Sequence, residues 1–97
     1  MPSNVLTWQD NATNEASFEV ERKDGAASST APFARIGTTP PNVVTFTDGA
    51  VAEGATYAYR VRAVNATGPS AYSNVAERTV PLALPAAPSN LVVTGGA

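Results

Sequence analysis

Residues 54–65, GATYAYRVRAVN, alternate regularly between apolar and polar side chains. Tyr57, Tyr59 and Val61 occupy every second position, and Arg60 and Arg62 lie between and after them. Successive side chains of a strand point to opposite faces of its sheet, so this stretch predicts a half-buried antiparallel strand. The three- and four-residue spacing of a helix is missing from it.

Shorter stretches with the same alternation occur on both sides, and turn-forming residues separate them. The predicted strands are residues 4–8, 18–24, 33–36, 43–47, 54–65 and 72–80. Short strands at intervals of about 8–12 residues, with no helical stretch between them, are typical of a β-sandwich. The pattern therefore predicts an all-β fold with two antiparallel sheets.

Composition narrows the chemistry of this fold. The 97 residues are enough for one domain, and the chain contains no Cys and no His, which excludes thiol and imidazole catalysis and most transition-metal sites. The net charge of −2 gives no basic footprint for nucleic acid, and no apolar run is long enough to insert into a membrane. We expect no cofactor and no metal.

The apolar faces of these strands supply the predicted core. Aromatic side chains on such a face could instead line a carbohydrate site, but buried aromatic residues dominate the cores of small domains. The predicted core residues are Leu6, Trp8, Phe18, Val20, Phe46, Val51, Tyr57, Tyr59 and Val61.

Several of these segments together resemble a fibronectin type III domain. Trp8, residues 18–22, Phe46-Thr47-Asp48, residues 51–63 and residues 68–74 are similar to its strands B, C, E, F and G. The polar loop that begins Trp8-Gln9-Asp10-Asn11 is similar to a variant found in bacterial and archaeal extracellular proteins. The resemblance implies an immunoglobulin-like sandwich with strands B-C-C'-E-F-G, a core indole at Trp8 and a tyrosine corner at Tyr57, whose hydroxyl bonds nearby backbone.

In that fold strands C and F are neighbours, so the resemblance places Glu19 and Glu21 opposite Arg60 and Arg62. We expect cross-strand ion pairs on a solvated face. A catalytic carboxylate pair would need a cleft and separated pKa values, which a flat sheet beside arginines does not offer. We therefore expect no enzyme activity from this chain.

The loop after the first strand contains four residues with side-chain oxygens, Asp10, Asn11, Asn14 and Glu15. Together they could offer ligands to Ca²⁺, but their ordinary role is to form turns. We expect turn formation.

The C-terminal residues predict a spacer followed by one more strand. Residues 81–88 are rich in Pro and Ala, a composition that gives a semi-rigid extended segment. Ser89, Asn90, Leu91, Val92, Val93 and Thr94 resemble strand A of the family, whereas the first predicted strand resembles strand B. The expected organisation is a sandwich at 1–80 without strand A, a linker at 81–88 and an A-like strand at 89–97, as if one repeat were divided in its A–B loop.

Three placements of the A-like strand are open. It can pair with a neighbouring molecule, remain a loose start of a following repeat, or fold back onto its own domain. We expect pairing in trans, and hence a homo-oligomer or contacts between neighbouring repeats. The predicted function is a structural or self-assembly module of a repetitive extracellular protein, and the alternatives are a protein- or glycan-binding module or an accessory domain of a secreted hydrolase. The sequence carries no signal-peptide pattern, so the extracellular setting follows from the resemblance alone.

Overall fold

Two antiparallel sheets form the protein, whose structure is a computed structural model describing residues 2–85 and 87–96. Met1, Ala86 and Ala97, which belong to the predicted segments 1–80, 81–88 and 89–97, lie outside the described residues. The strands are β1 (Asn4–Thr7), β2 (Ser17–Asp24), β3 (Ala34–Thr39), β4 (Thr45–Asp48), β5 (Thr56–Asn65), β6 (Gly68–Pro69) and β7 (Ala76–Thr79). Within this described part, no helix is long and apolar enough to cross a membrane.

The smaller sheet pairs β1 with β4, and the larger sheet has the order β3-β2-β5, followed by β6 and β7 along the other side of β5. The strand formed by most of the alternating residues 54–65 is β5, and the strand order places it in the interior of the larger sheet. In the β2–β5 register Glu19 lies opposite Arg62 and Glu21 opposite Arg60. The fold is the all-β sandwich that the sequence predicts.

The last predicted strand, residues 72–80, is only partly formed. The chain pairs with β5 as β6, leaves strand geometry at residues 70–75, and pairs again as β7. Within the gap the Ser70 hydroxyl accepts a hydrogen bond from Ala63 N (2.9 Å) and the Ser73 hydroxyl accepts one from Val61 N (3.0 Å). These side chains take over backbone positions in the ladder, so Tyr72 lies outside any strand.

The core consists of two clusters between the sheets. One contains Val51, Tyr57, Tyr59 and Val80, and the other contains Phe18, Val20 and Val61. Leu6, Trp8 and Phe46 pack against these clusters but remain partly exposed. For Leu6 and Trp8 the exposure arises because one edge of β1 is uncovered, as described below.

The two sheets are in tight contact where β4 lies over β3. Gly37 of β3 lies under the ring of Phe46, and a Cβ atom on Gly37 would overlap Phe46 Cε1. Glycine is required here for close approach of a backbone to a side chain. This contact places β4 over the β3 side of the larger sheet.

The C-terminal residues extend beyond the sandwich. Among residues 81–85 and 87–96 no residue belongs to a strand, and all are exposed. Leu91 is 97% and Val93 is 93% exposed. The predicted strand at 89–94 is therefore not formed against its own domain in this structure.

Candidate functional site

One edge of β1 has no strand partner in the described part of the chain, where β1 pairs only with β4. Trp8 N donates to Val44 O (3.1 Å), so the backbone groups of Trp8, and by alternation those of Leu6, face β4. The N–H and C=O groups of Val5 and Thr7 therefore point to the opposite edge. This edge is competent to pair with another strand.

A groove runs beside the free edge, and we call it the edge groove. Because β4 lies over β3, the free edge of β1 lies over β5 and residues 70–76. Two hollows of about 300 and 210 Å³ share Trp8, Val61 and Ser73 in their walls and make up the groove. Other lining residues are the apolar or small Leu6, Ala12, Phe18, Tyr59, Ala63, Ala71 and Ala76, and the polar or charged Thr7, Gln9, Asn11, Arg60, Arg62, Ser70 and Asn74.

Five of the predicted core residues line this groove: Leu6, Trp8, Phe18, Tyr59 and Val61. The Trp8 ring meets Phe18 edge to face, with 5.6 Å between ring centroids. The floor is thus apolar, while the rim carries the unpaired backbone groups of β1. That combination suits an extended peptide, which needs hydrogen bonds along one side and pockets for alternate side chains.

The predicted exchange residues have the matching pattern. Leu91 and Val93 lie on one face of an extended segment, whereas Asn90, Val92 and Thr94 lie on the other. The first face also carries Ser89 at its start and is apolar beyond it, whereas the second face is mixed. In the single chain these side chains are exposed, including Val92 at 78%.

A polar cluster with a buried centre joins the sheets at the start of β1, and sequence reasoning missed it. Tyr59 Oη donates to Asp48 Oδ2 (2.8 Å) and accepts from Asn4 Nδ2 (2.8 Å). Arg22 Nη1 donates to the same Asp48 oxygen (3.0 Å), and Arg78 Nη1 donates to Asn4 Oδ1. We call these five residues the inter-sheet cluster.

The contacts within the inter-sheet cluster shift the pKa values of Asp48 and Tyr59. Burial favours the neutral Asp48 carboxyl, but hydrogen bonds from Tyr59 and Arg22 outweigh it and lower the Asp48 pKa. Burial, together with the neighbouring Asp48 carboxylate, raises the pKa of Tyr59 to about 12. Two sequence signals point to the cluster: Asn4 shares the inward face of its strand with Leu6, and a buried Tyr hydroxyl needs a partner.

Tyr57 lies beside this cluster, and its ring is buried at 7% exposure. Its hydroxyl accepts a hydrogen bond from Ala52 N (2.9 Å). The Arg22 guanidinium lies over the ring, 4.9 Å from its centroid. A buried ring with its hydroxyl on nearby backbone is the geometry expected of a tyrosine corner.

The outer face of the larger sheet carries a ladder of ion pairs. Arg62 Nε donates to Glu19 (2.7 Å), and Arg60 Nε donates to Glu21 (2.7 Å). The Arg62 hydrogen bond is the main cause of a lowered Glu19 pKa. Burial opposes ionisation of Glu21, but hydrogen bonds from Tyr72 and Arg60 outweigh it and lower that pKa too. Carboxylates held ionised in this way are poor general acids.

Aromatic rings complete this ladder. The Arg60 guanidinium lies between Phe33, 4.1 Å from the ring centroid, and Tyr72, 3.7 Å away. The Arg62 guanidinium also lies over the Tyr72 ring, 4.7 Å from its centroid. Each arginine is thereby paired and stacked within the domain, which favours a structural role for this face.

The oxygen-rich loop forms local hydrogen bonds. Asp10 Oδ1 accepts from Ala12 N (3.0 Å), and Glu15 Oε1 accepts from Asn42 N (3.3 Å). Asn65 Nδ2 donates to Asn14 O (3.3 Å), which links this loop to the β5–β6 turn. In residues 2–85 and 87–96 no group of three or more acidic side chains converges on a possible ion site.

The comparisons with known proteins identify the family. The family model for a fibronectin type III domain, the third domain of SaeA, matches residues 5–81. The chain is a fibronectin type III domain. Domains of this family are typically structural or binding modules without catalysis. No curated protein matches the chain.

Solved structures show the same fibronectin type III fold. The twitchin kinase region from C. elegans superposes with a TM-score of 0.68 at 17% identity, over 81% of this chain and 14% of that one. Pectate lyase PelI from Erwinia chrysanthemi, in complex with tetragalacturonic acid, superposes with a TM-score of 0.66 at 28% identity, over 77% of this chain and 24% of the lyase. This fibronectin type III domain therefore spans less than a quarter of each of these longer chains.

Proposed function

We propose that this fibronectin type III domain is a non-enzymatic structural module of an extracellular repetitive protein, and that copies associate by strand donation. Residues 89–94 of one molecule enter the edge groove of another and pair antiparallel with β1. The observation that carries the proposal is the coexistence of an unpaired β1 edge over an apolar floor and an exposed segment with one apolar face.

The chemistry of the two surfaces is complementary. Val5 and Thr7 offer backbone donors and acceptors at intervals of two residues, which is the spacing that an antiparallel partner requires. With that pairing Leu91 and Val93 point toward Trp8 and the β5 side chains below. Burying two fully exposed aliphatic side chains contributes about 1.5–3 kcal/mol each before the cost of ordering the segment.

Two matched substitutions in the full chain test the direction of these side chains. Val93→Asp places a charge on the inward face, whereas Val92→Asp places the same charge on the outward face. We expect the unmodified chain and Val92→Asp to show masses above the monomer by light scattering coupled to size exclusion. Val93→Asp is expected to remain a monomer because a buried unpaired carboxylate opposes docking.

The fluorescence of Trp8, the only tryptophan in the sequence, provides a second readout because this residue lines the groove. Its emission should shift to shorter wavelength with concentration in the unmodified chain and remain constant in Val93→Asp. A monomer at every concentration for all three proteins would reject strand donation. Equal association of the two variants would reject the pairing face.

A second candidate function is that of an accessory domain within a longer secreted enzyme that degrades polysaccharides. The observation that favours it is the match to part of a pectate lyase chain, 24% of its length. Under this hypothesis residues 89–94 continue into another domain. The loop that contains Asp10 and Asn14 would then be free to bind a glycan or a protein. Retention of the domain on polygalacturonate, abolished by substitutions in this loop, would favour this function.

A further inference from the structure

The two ends of the sandwich differ in which strands begin and end there. β1 begins at Asn4, which contacts Arg78 of β7, and β7 ends one residue later at Thr79. We call this end the tail pole. Trp8 follows β1 at the opposite end, beside Phe18, and we call that end the loop pole. β1 therefore runs from the tail pole to the loop pole, and β7 runs in the reverse direction.

These directions determine how a donated strand must arrive. A strand antiparallel to β1 runs from the loop pole to the tail pole, which is also the direction of β7. A C-terminal segment that continues along the course of β7 therefore leaves its own tail pole with the orientation needed at the loop pole of the next molecule. No reversal of the chain is required.

The structure fixes the beginning of this segment. Val80 is 2% exposed, its N–H donates to Ala55 O (2.8 Å), and its carbonyl accepts from Gly54 N (2.7 Å). The Leu82 side chain lies against Gly54, where a Cβ atom would be 3.0 Å from Leu82 Cδ2. Gly54 has a φ of 78°, so two features keep a larger residue from this position.

The shape of the molecule follows from that exit. It measures 85 × 29 × 17 Å. A strand with the ten residues of β5 covers only about 33 Å. The segment after Val80 therefore projects far from the domain, away from the edge groove of its own molecule.

Return to its own groove would stretch residues 81–88 to their full length. Val80 pairs beside Ala55, whereas Trp8 packs on Phe18, which pairs with Ala63. The eight-residue separation along β5 corresponds to about 27 Å. Residues 81–88 span about 25 Å as polyproline II, and the return path also needs two reversals of direction.

A reciprocal dimer needs one such reversal in each copy. In such a dimer the two copies lie antiparallel, so the loop pole of one copy is beside the tail pole of the other. The donated segment would therefore have to turn back within residues 81–88 before it could enter the partner's groove. Pro81, Pro85 and Pro88 restrict φ in this segment and favour extended conformations in the residues before them. The head-to-tail arrangement avoids this turn.

We infer that the copies join head to tail into an open chain, in which each molecule fills the groove of the next and offers its own groove to the one before. This inference rests on the strand donation proposed above. The partner is a second copy of the same chain, and the link is heterologous, so assembly continues unless a rotation closes a ring. The tail pole of each copy then faces the loop pole of its neighbour.

A chain-terminating variant tests the open arrangement. The double substitution Leu91→Asp and Val93→Asp keeps the groove intact but removes donation, so this protein can occupy only one end of a chain. Thr7→Pro is the complementary variant, because it removes an N–H group from the free edge and leaves the β4 side paired. Circular dichroism and thermal unfolding confirm that each variant is folded before it is mixed.

Light scattering on the unmodified chain should give masses that increase with concentration beyond the dimer. An equimolar addition of the terminating variant should reduce the mean length to about two copies at saturating concentration, since every chain then ends in one terminator. Each of these two variants should be monomeric alone, because one lacks the donor segment and the other lacks a working groove. Their equimolar mixture should give a dimer of one copy of each, because the intact segment of Thr7→Pro can enter the intact groove of the terminating variant.

The outcomes separate the two proposals. A dimer, or another fixed mass that does not grow with concentration, would overturn the open chain while strand donation stands, provided that Val93→Asp abolishes it. A monomer throughout would overturn strand donation itself. Growth that is unaffected by the terminator would overturn both, because association would then use another surface.

Discussion

Tyr59 shows how a single hydroxyl connects the two sheets. It bridges Asp48 and Asn4, which are paired on the smaller sheet, while its own strand is the centre of the larger one. The side chain is 5% exposed, so neither partner can be replaced by bulk water without opening the sandwich. Buried polar groups of this kind are costly to leave unpaired.

Replacement of Tyr59 by Phe is therefore expected to reduce the free energy of unfolding by about 1–3 kcal/mol. The ring volume is retained, but Asp48 loses one of its donors and Asn4 loses an acceptor. Tyr72→Phe is the matched control because it removes a hydroxyl that donates to Glu21 (2.8 Å) on the partly exposed outer face. Urea titrations of the three proteins measure the difference, and equal losses in both variants would contradict the assignment.

At the scale of the elements, the contact between β3 and β4 depends on one missing side chain. Gly37 admits the Phe46 ring, and it lies opposite Val20, where the β2–β3 register shifts. The irregularity thus coincides with a tight contact between the sheets. A bulge can re-aim the neighbouring positions of a strand in this way.

Gly37→Ala should cost about 1–3 kcal/mol, because the added methyl group must displace Phe46 in a packed core. Gly49→Ala is the control, since a Cβ atom at Gly49 meets no atom within 4 Å. Thermal or urea unfolding of the two variants gives the comparison. If Gly37→Ala were as stable as the unmodified chain, Phe46 would have to have another position available.

The sequence predicts the elements whose side chains alternate strictly. The alternation of β2 and β5 gives both their faces and, with the family resemblance, the placement of Glu19 and Glu21 across from Arg60 and Arg62. It fails at residues 70–75, because a serine hydroxyl that replaces a backbone group leaves no periodic signal. Of the proposed interface, only the A-like segment can be recognised in the sequence. The groove beside Trp8 cannot, because it depends on how β1 lies over β5.

The inter-sheet cluster was missed for a related reason. Alternation places Arg22 on the same face as Phe18 and Val20, which is an inward position for a charged residue. An inward position for Arg22 predicts that its charge has a buried partner, but it does not show which residue that partner is. Asp48, the partner, belongs to the other sheet, and only tertiary structure brings the two together.

For the molecule as a whole, the free energy of unfolding should fall at acid pH and at alkaline pH and stay nearly constant between these limits. Glu19, Glu21 and Asp48 have lowered pKa values in the fold, so their contribution is present above their unfolded pKa of about 4 and lost as pH falls further. The Tyr59 pKa is raised to about 12. The protonated phenol therefore stabilises the fold below pH 10, and this contribution is lost toward pH 12.

Because the sequence contains no His and no Cys, we expect the free energy of unfolding to change little between about pH 5 and 9. Urea titrations across the pH range check this expectation. Tyr59→Phe should weaken the alkaline loss and, because Asp48 loses a donor, reduce the Asp48 part of the acid loss, while the part from Glu19 and Glu21 stays in place. A steep dependence near neutral pH would show that some other group titrates on unfolding.

The positions of Asn4 and Val80 at the same end of the domain have a mechanical consequence. A force applied between these two residues peels β1 from β4 and β7 from β5, starting at that end, and breaks their hydrogen bonds one after another. A force that enters through a strand bound along the free edge of β1 and leaves through Val80 acts along the strands instead. Hydrogen bonds perpendicular to the strands then carry the load together, so the assembled domain should resist tension that would unzip the isolated one.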